Sequence, residues 1–274
     1  MPNKLNRTAG KSLFAGDVDA YDLARPEYPN QLFQFILDSV GSPDDLKVLE
    51  IGAGNGLASK HLLQLGIREL TLVEPDSRFE PTLELLKSST RVPVTLVSET
   101  FERAALASAH YDLVLAATSF HWLDPETRLK KIARSLKPDG HLVLIWNVFG
   151  DANQPDPFHD ATQHLFGRVL ISPSQENLEI PFALDIDARL GEFEASYCFN
   201  VPKVHRVHWS LTLTSEKMLA LYRTFSGVNS LSASDREELL AGLESVANEQ
   251  FDGTVIRNMT SIAYVATRSV TLAE

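Results

Sequence analysis

The sequence predicts an α/β protein built on a doubly wound, mostly parallel sheet of seven strands, with an inserted and C-terminal helical cap. Three observations lead there. Through the first half, short apolar runs alternate with stretches of helical periodicity. The runs are nearly continuous in apolar residues, as strands covered on both faces of a parallel sheet are. One of them stops at the glycine-rich turn Glu50-Ile51-Gly52-Ala53-Gly54-Asn55-Gly56 and is followed by a helical pattern.

The elements follow in order. Lys47 to Ile51 reads as the first strand, and Leu57 to Leu65 as a helix ended by Gly66. Glu69 to Val73 is the second strand, and Phe79 to Leu86 carries the next helical stripe. Val92 to Val97 is the third strand, and the proline near its start suits a sheet edge. Tyr111 to Ala116 is the fourth. Asp124-Pro125-Glu126 opens a helix with proline in its first turn. That helix ends before the turn Lys137-Pro138-Asp139-Gly140, and His141 to Trp146 makes the fifth strand. After the loop-like stretch Gly150 to Pro157 the pattern weakens, with a short helical candidate over Phe158 to Leu170. Ser196 to Leu213 reads as an extended arm broken at Pro202. Helices are expected over Ser215 to Phe225 and Ser234 to Asn248, and a last strand over Thr254 to Thr267.

Composition removes several function classes. The formal charge of −11 over 274 residues opposes a nucleic-acid partner, which needs a basic face to release counterions, and opposes anionic membrane surfaces likewise. No apolar run reaches the roughly 20 residues that span a bilayer. Met1 to Gly16 lacks a signal-peptide core, so a cytoplasmic location is expected. The single cysteine, Cys198, excludes an internal disulfide and a cysteine zinc site; in its apolar surroundings it reads as a small buried hydrophobe. The eight histidines show no metal-binding spacing, and no metal is expected.

The chemistry concentrates in the glycine turn. Gly52, Gly54 and Gly56 allow positive φ and close approach of a ligand to the backbone, with Ala53 in the same cofactor-binding turn. Free amides at the following helix start favour negative groups. Nicotinamide enzymes, flavoenzymes and methyl-transferring enzymes all use such a turn. The dinucleotide fingerprint wants a small residue at the sixth position, which here is Leu57. Glu50 would face a pyrophosphate badly but suits a cationic, amino-acid-like ligand. Glu74, followed by Pro75, ends the second strand, where a carboxylate can accept both ribose hydroxyls of an adenosine. Glu99, Thr100 and Phe101 follow the third strand, offering a polar edge and an apolar face to an adenine. Each has a plainer alternative: a bare turn, a solvated loop acid, a surface turn.

Taken together, these residues resemble the class I S-adenosylmethionine-dependent methyltransferases. Val48 to Gly56 is similar to their glycine motif, Val73-Glu74-Pro75-Asp76 to their ribose-binding turn, and Glu99-Thr100-Phe101 to their adenine-side turn. Leu136 to Leu142 resembles the turn before their fifth strand, with Asp139 where the first of two glycines stands. Ala20 to Pro29 and Thr118 to Pro125 look like the trans-aconitate methyltransferase-like, small-molecule branch. The likeness spans roughly the first 150 residues and does not reach the acceptor side. It implies the Rossmann-like methyltransferase fold, S-adenosylmethionine as cofactor and S-adenosylhomocysteine as product. It also adds Ala117, just after the fourth strand, to the cofactor set.

Methyl transfer from a sulfonium is an in-line displacement, so positioning and desolvation carry most of it. His121 either contacts the acceptor or acts as base, or else packs its loop. Trp122 and Trp146 are placed beside it as pocket wall, with a core role as the alternative. Tyr21, Arg25 and Tyr28 are read as a lid: Tyr21 and Arg25 toward the cofactor, Tyr28 toward the acceptor, Arg25 pairing with a carboxylate. A docked N-terminal helix is the plainer reading of that segment. The chain thus divides into a lid over 1–40, a cofactor-binding core over 41–149, a cap insertion over 150–195 and a C-terminal completion of the sheet over 196–274. The expected reaction is methylation of a small organic acceptor at oxygen, nitrogen or carbon. A non-catalytic S-adenosylmethionine-binding sensor and a macromolecular acceptor stay open, while Glu50 and Leu57 disfavour an NAD-dependent oxidoreductase. Oligomeric state is not encoded in any readable feature.

Overall fold

The computed structural model describes Leu5, residues 24–175 and residues 180–269. The chain forms two compact units. One comprises the described residues of 27–146, 185–207 and 261–274, the other those of 1–26, 147–184 and 208–260.

Seven strands form one mixed sheet: β1 (Lys47–Ile51), β2 (Glu69–Val73), β3 (Val94–Val97), β4 (Tyr111–Ala117), β5 (Leu136–Val148), β6 (Lys203–Thr214) and β7 (Thr254–Thr267). The order is β3-β2-β1-β4-β5-β7-β6, with β1 to β5 paired in parallel. The apolar runs explain this arrangement. Val48, Leu49, Leu70, Leu72, Leu113 to Ala116 and Leu142 to Ile145 are all at most 1 % exposed, as strands covered on both faces must be. β3, the strand preceded by Pro93, lies at the edge, where the missing donor costs nothing.

Helices join these strands. α1 (Asn30–Val40) buries Leu32, Phe33 and Ile36 on one stripe and ends where the Gly41 amide donates to Leu37 O. α2 (Leu57–Gln64) starts from Gly56, and α3 (Glu80–Ser88) carries Pro81 in its first turn. α4 (Arg128–Ser135) runs directly into β5.

The turn expected at Lys137 to Gly140 lies within β5 instead. Tyr111 pairs with Leu136 and Leu113 with His141, so residues 137–140 form a bulge facing Asp112 alone. Pro138 cannot donate to a ladder and Asp139 has φ +60°, so the chain leaves the sheet and rejoins it. Lys137 Nζ, 2.7 and 2.9 Å from the Asp112 carboxylate oxygens, fastens the bulge.

In the second unit, α5 (Pro157–Thr162), α7 (Ser215–Arg223), α8 (Ser226–Asn229) and α9 (Ala233–Gln250) share a core of Phe158, Met218, Leu221, Tyr222, Leu239 and Leu243. The helical candidate over Phe158 to Leu170 shortens to α5 followed by a 3-10 stretch over Gln163–Arg168. The sequence pattern did not reveal α6 (Ile186–Ser196), which groups with the first unit. Asp185 caps it by accepting from the Ala188 amide at 3.2 Å.

Candidate functional site

β1 ends at the glycine turn, and the backbone there is left-handed at Gly52, Gly54 and Gly56, with φ of +70°, +55° and +75°. Packing also demands glycine at Gly52 and crowds Gly56 with flexible leucine ends. A Cβ on Gly52 would lie 2.6 Å from Ser119 Cβ, and one on Gly56 would lie 2.9 Å from Leu86 Cδ2. Gly54 differs: among the described residues a Cβ there would meet nothing within 4 Å. No described side chain or backbone crowds its left-handed backbone, as close approach of a ligand to the turn requires.

Glu74, at the end of β2, stitches this turn in place. One carboxylate oxygen accepts from the Gly54 amide at 2.8 Å and the other from the Asp76 amide at 2.9 Å. Each oxygen keeps a further lone-pair site, enough for a pair of hydroxyls. Burial raises the Glu74 pKa, against the lowering effect of the two amides.

Glu50 lies one residue before the end of β1 and is 1 % exposed. Ser59 Oγ, from α2, donates to its Oε2 at 2.5 Å. Burial, with the charge of Glu74 adding to it, pushes the Glu50 pKa up to about 8, and the Ser59 hydrogen bond opposes this only in part. No cation of the described residues contributes to the balance.

The end of β4 meets the same turn. Ala117 is half-buried and pairs with Ile145. Thr118 has φ +52°, a strained conformation for a β-branched residue. Its amide donates to Ile145 O at 2.7 Å, and its hydroxyl shares a 2.8 Å hydrogen bond with Tyr28. Ser119 Oγ donates to Ile51 O, binding the two strand ends together. The 3-10 turn Phe120–Trp122 follows and is buried throughout. Trp146 Nε1 donates to His121 Nδ1 at 3.2 Å, and the His121 and Trp122 rings lie 5.3 Å apart. Trp146 itself packs edge-on against Phe120 and Tyr264.

The remaining expected residues are more scattered. Phe101 is buried, with Lys131 Nζ 5.1 Å from its ring centroid. Thr100 is half-buried, while Glu99 is exposed and pairs with Arg103 at 3.3 Å. Pro75 is exposed, and Leu57 opens α2 half-buried. Arg25 belongs to the other unit, where it donates to Thr224 O at 3.1 Å and lies over the Phe225 ring. Tyr21 lies outside the described residues. Sequence reasoning missed Ser59, Thr118 and Ser119. The last two sit inside the Thr118 to Pro125 stretch singled out above, but nothing in it signals a positive φ or a clasp onto β1.

The segment that carries this turn is similar to known proteins. Residues 49–144 match the methyltransferase domain family. An uncharacterized methyltransferase of Schizosaccharomyces pombe is 26 % identical over 255 residues, spanning 92 % of this chain and 95 % of its own. Among solved structures, one described as a type II methyltransferase of Anaeromyxobacter dehalogenans is 18 % identical and covers 89 % of this chain and 97 % of its own, with a TM-score of 0.57. Phosphoethanolamine N-methyltransferase 2 of Haemonchus contortus, in complex with phosphomonomethylethanolamine and S-adenosylhomocysteine, is 15 % identical and covers 96 % of this chain and 57 % of its own, with a TM-score of 0.52. At these identities the structural likeness shows the fold alone. The chain is thus similar to methyltransferases, a likeness that implies S-adenosylmethionine as cofactor. The residues fit that cofactor: an open left-handed glycine, a carboxylate with lone pairs for a ribose, and a buried acid suited to a cationic ligand. Among the described residues no helix is long and apolar enough to cross a membrane.

Proposed function

We propose that this protein transfers the methyl group of S-adenosylmethionine to a small organic acceptor. The observation that carries the reading is the junction of Gly54 and Glu74, in which one carboxylate fixes an open glycine turn and keeps capacity for two hydroxyls. Gly52 to Gly56 would let the ligand approach the backbone closely, Glu74 would hold its ribose, and Glu50 its cationic part. Glu99, Thr100, Phe101 and Ala117 would flank the adenine. Once bound, the cofactor supplies an electrophilic methyl group on a sulfonium.

The chain's own residues bind, orient and exclude water. The strained Thr118 and the Ser119 clasp hold the end of β4 against the glycine turn, and His121, Trp122, Trp146 and Tyr28 are assigned to the acceptor side. We place Tyr21 and Arg25 in a lid, residues 150–195 in a cap, and the protein in the cytoplasm. We assign it to the trans-aconitate methyltransferase-like branch on the strength of Ala20 to Pro29 and Thr118 to Pro125.

A thermal-shift comparison of S-adenosylmethionine, S-adenosylhomocysteine and NAD tests the reading. A micromolar ligand at millimolar concentration adds about 4 kcal/mol of stability. The proposal expects such a gain with the first two ligands; a gain with NAD alone overturns it. Release of S-adenosylhomocysteine across a panel of small metabolites then separates an enzyme from a sensor.

A further inference from the structure

Arg128, the first residue of α4, is buried and grips one neighbour at two points. Its Nη1 donates to the Phe120 carbonyl at 2.8 Å, and its guanidinium carbon lies 3.9 Å from the centroid of the Phe120 ring. The rest of the fork is turned to α6: Nε donates to Glu192 Oε1 at 2.7 Å, and Nη2 donates to the same oxygen. Arg189 Nη1, one turn earlier on α6, lies 3.2 Å from the other Glu192 oxygen. A planar guanidinium can serve a carboxylate, a carbonyl and a ring face at once, whereas an ammonium on a flexible stem cannot. The Leu123 amide, 3.1 Å from the same Phe120 carbonyl, already closes the 3-10 turn. Arg128 is therefore added to a turn that is formed without it, and fixes where that turn sits.

The placement reaches the glycine turn within one residue. Ser119, next to Phe120, donates through Oγ to Ile51 O, and Gly52 comes so close that a Cβ there would lie 2.6 Å from Ser119 Cβ. Two turns packed this tightly move together, because a close-packed interior transmits strain. We propose that Arg128 is a positioning residue of the cofactor site: held by Glu192, it sets the turn after β4 against the glycine turn, so that α6 contributes to affinity for the methyl donor. The inference rests on the methyl-transfer reading of the glycine turn. The relay runs from Glu192 through Arg128, Phe120 and Ser119 to Ile51 and Gly52, all within one compact unit. Its effect is geometric, with no proton passed along it. Glu192 lies outside residues 49–144, the part that matches the methyltransferase domain family, so the relay brings a segment from beyond that match into cofactor binding.

A double-mutant cycle on the full chain tests this by calorimetric titration with S-adenosylhomocysteine, each variant held well below its own unfolding temperature. R128K keeps the charge but cannot hold Phe120 O and Glu192 together, and should weaken binding about tenfold. E192Q leaves Arg128 its grip on Phe120 and should weaken binding about threefold. The double variant should lose no more than R128K alone, because the two side chains act as one unit. In ligand-free ¹⁵N-labelled E192Q the amide signals of Ser119 and Gly52 should shift, which a loss of stability confined to α6 would not cause. Affinity within about twofold of the parent in both single variants, or losses that simply multiply, overturns the inference. Unmoved Ser119 and Gly52 amides in E192Q overturn it as well, and that arm decides the matter if R128K does not fold. Absence of binding by the unsubstituted chain defeats the methyl-transfer reading and this inference with it, whereas equal binding by parent and variants defeats this inference alone.

Discussion

Two buried carboxylates, one in each compact unit, show how differently the same group can be used. Asp156 is 4 % exposed, and its charge is met from within: Arg257 Nε donates to it at 2.7 Å and the His159 amide at 3.0 Å. Arg257 is equally enclosed, with Tyr222 OH 2.8 Å from Nη1 and the rings of Phe149 and Phe158 around the guanidinium. That is a closed, structural ion pair, which costs desolvation and recovers it by geometry. Glu50 is buried more deeply, yet receives a serine hydroxyl and the repulsion of Glu74. A buried acid whose charge the described residues leave unmatched suits a cationic ligand, as the proposed function requires.

Breaking the closed pair gives the largest expected effect. Arg257→Met leaves Asp156 buried and unpaired and should cost about 3–5 kcal/mol in denaturant unfolding. Adding Asp156→Asn should return most of that loss, because the second change removes the stranded charge. A single substitution tolerated without loss would show that the pair is not structural.

The open acid predicts a smaller effect per pH unit, with a characteristic pH dependence. The pKa of Glu50 is about 8 in the fold and 4.5 in its reference state. Between those values the unfolded chain is ionised while the folded one holds its proton. Ligand-free stability should therefore fall as pH rises through that window, by up to about 1.4 kcal/mol per unit from this group. Glu50→Gln should remove that contribution and leave the ligand-free protein more stable than its parent at pH 8. An unchanged slope in the variant would contradict the burial argument.

The two halves of this comparison were unequally legible in the sequence. Gly52 to Gly56, Glu50 and Glu74 could be read because their spacing on successive strand ends is itself the signal. So could the strands, whose apolar runs are long and uninterrupted. The Asp156–Arg257 pair spans 101 residues and the Trp146–His121 bond 25, and such contacts exist only after the chain has folded. α6 escaped because Gly191 interrupts a segment that is only weakly amphipathic, although most of its residues are good helix formers. The β5 bulge was legible as a turn but not as part of a strand, since only the pairing of Tyr111 with Leu136 extends the strand beyond it.

The most direct test of a site kept for a cationic methyl donor is calorimetric titration with S-adenosylmethionine at pH 7, repeated in buffers of different ionisation enthalpy. Glu50 is largely protonated at that pH in the free protein, so a cation bound beside it should expel its proton. The account predicts binding with release of close to one proton, tighter at pH 8 than at pH 6, and loss of both proton release and about tenfold or more of affinity in Glu50→Gln. Binding that is independent of pH and untouched by that substitution would contradict it.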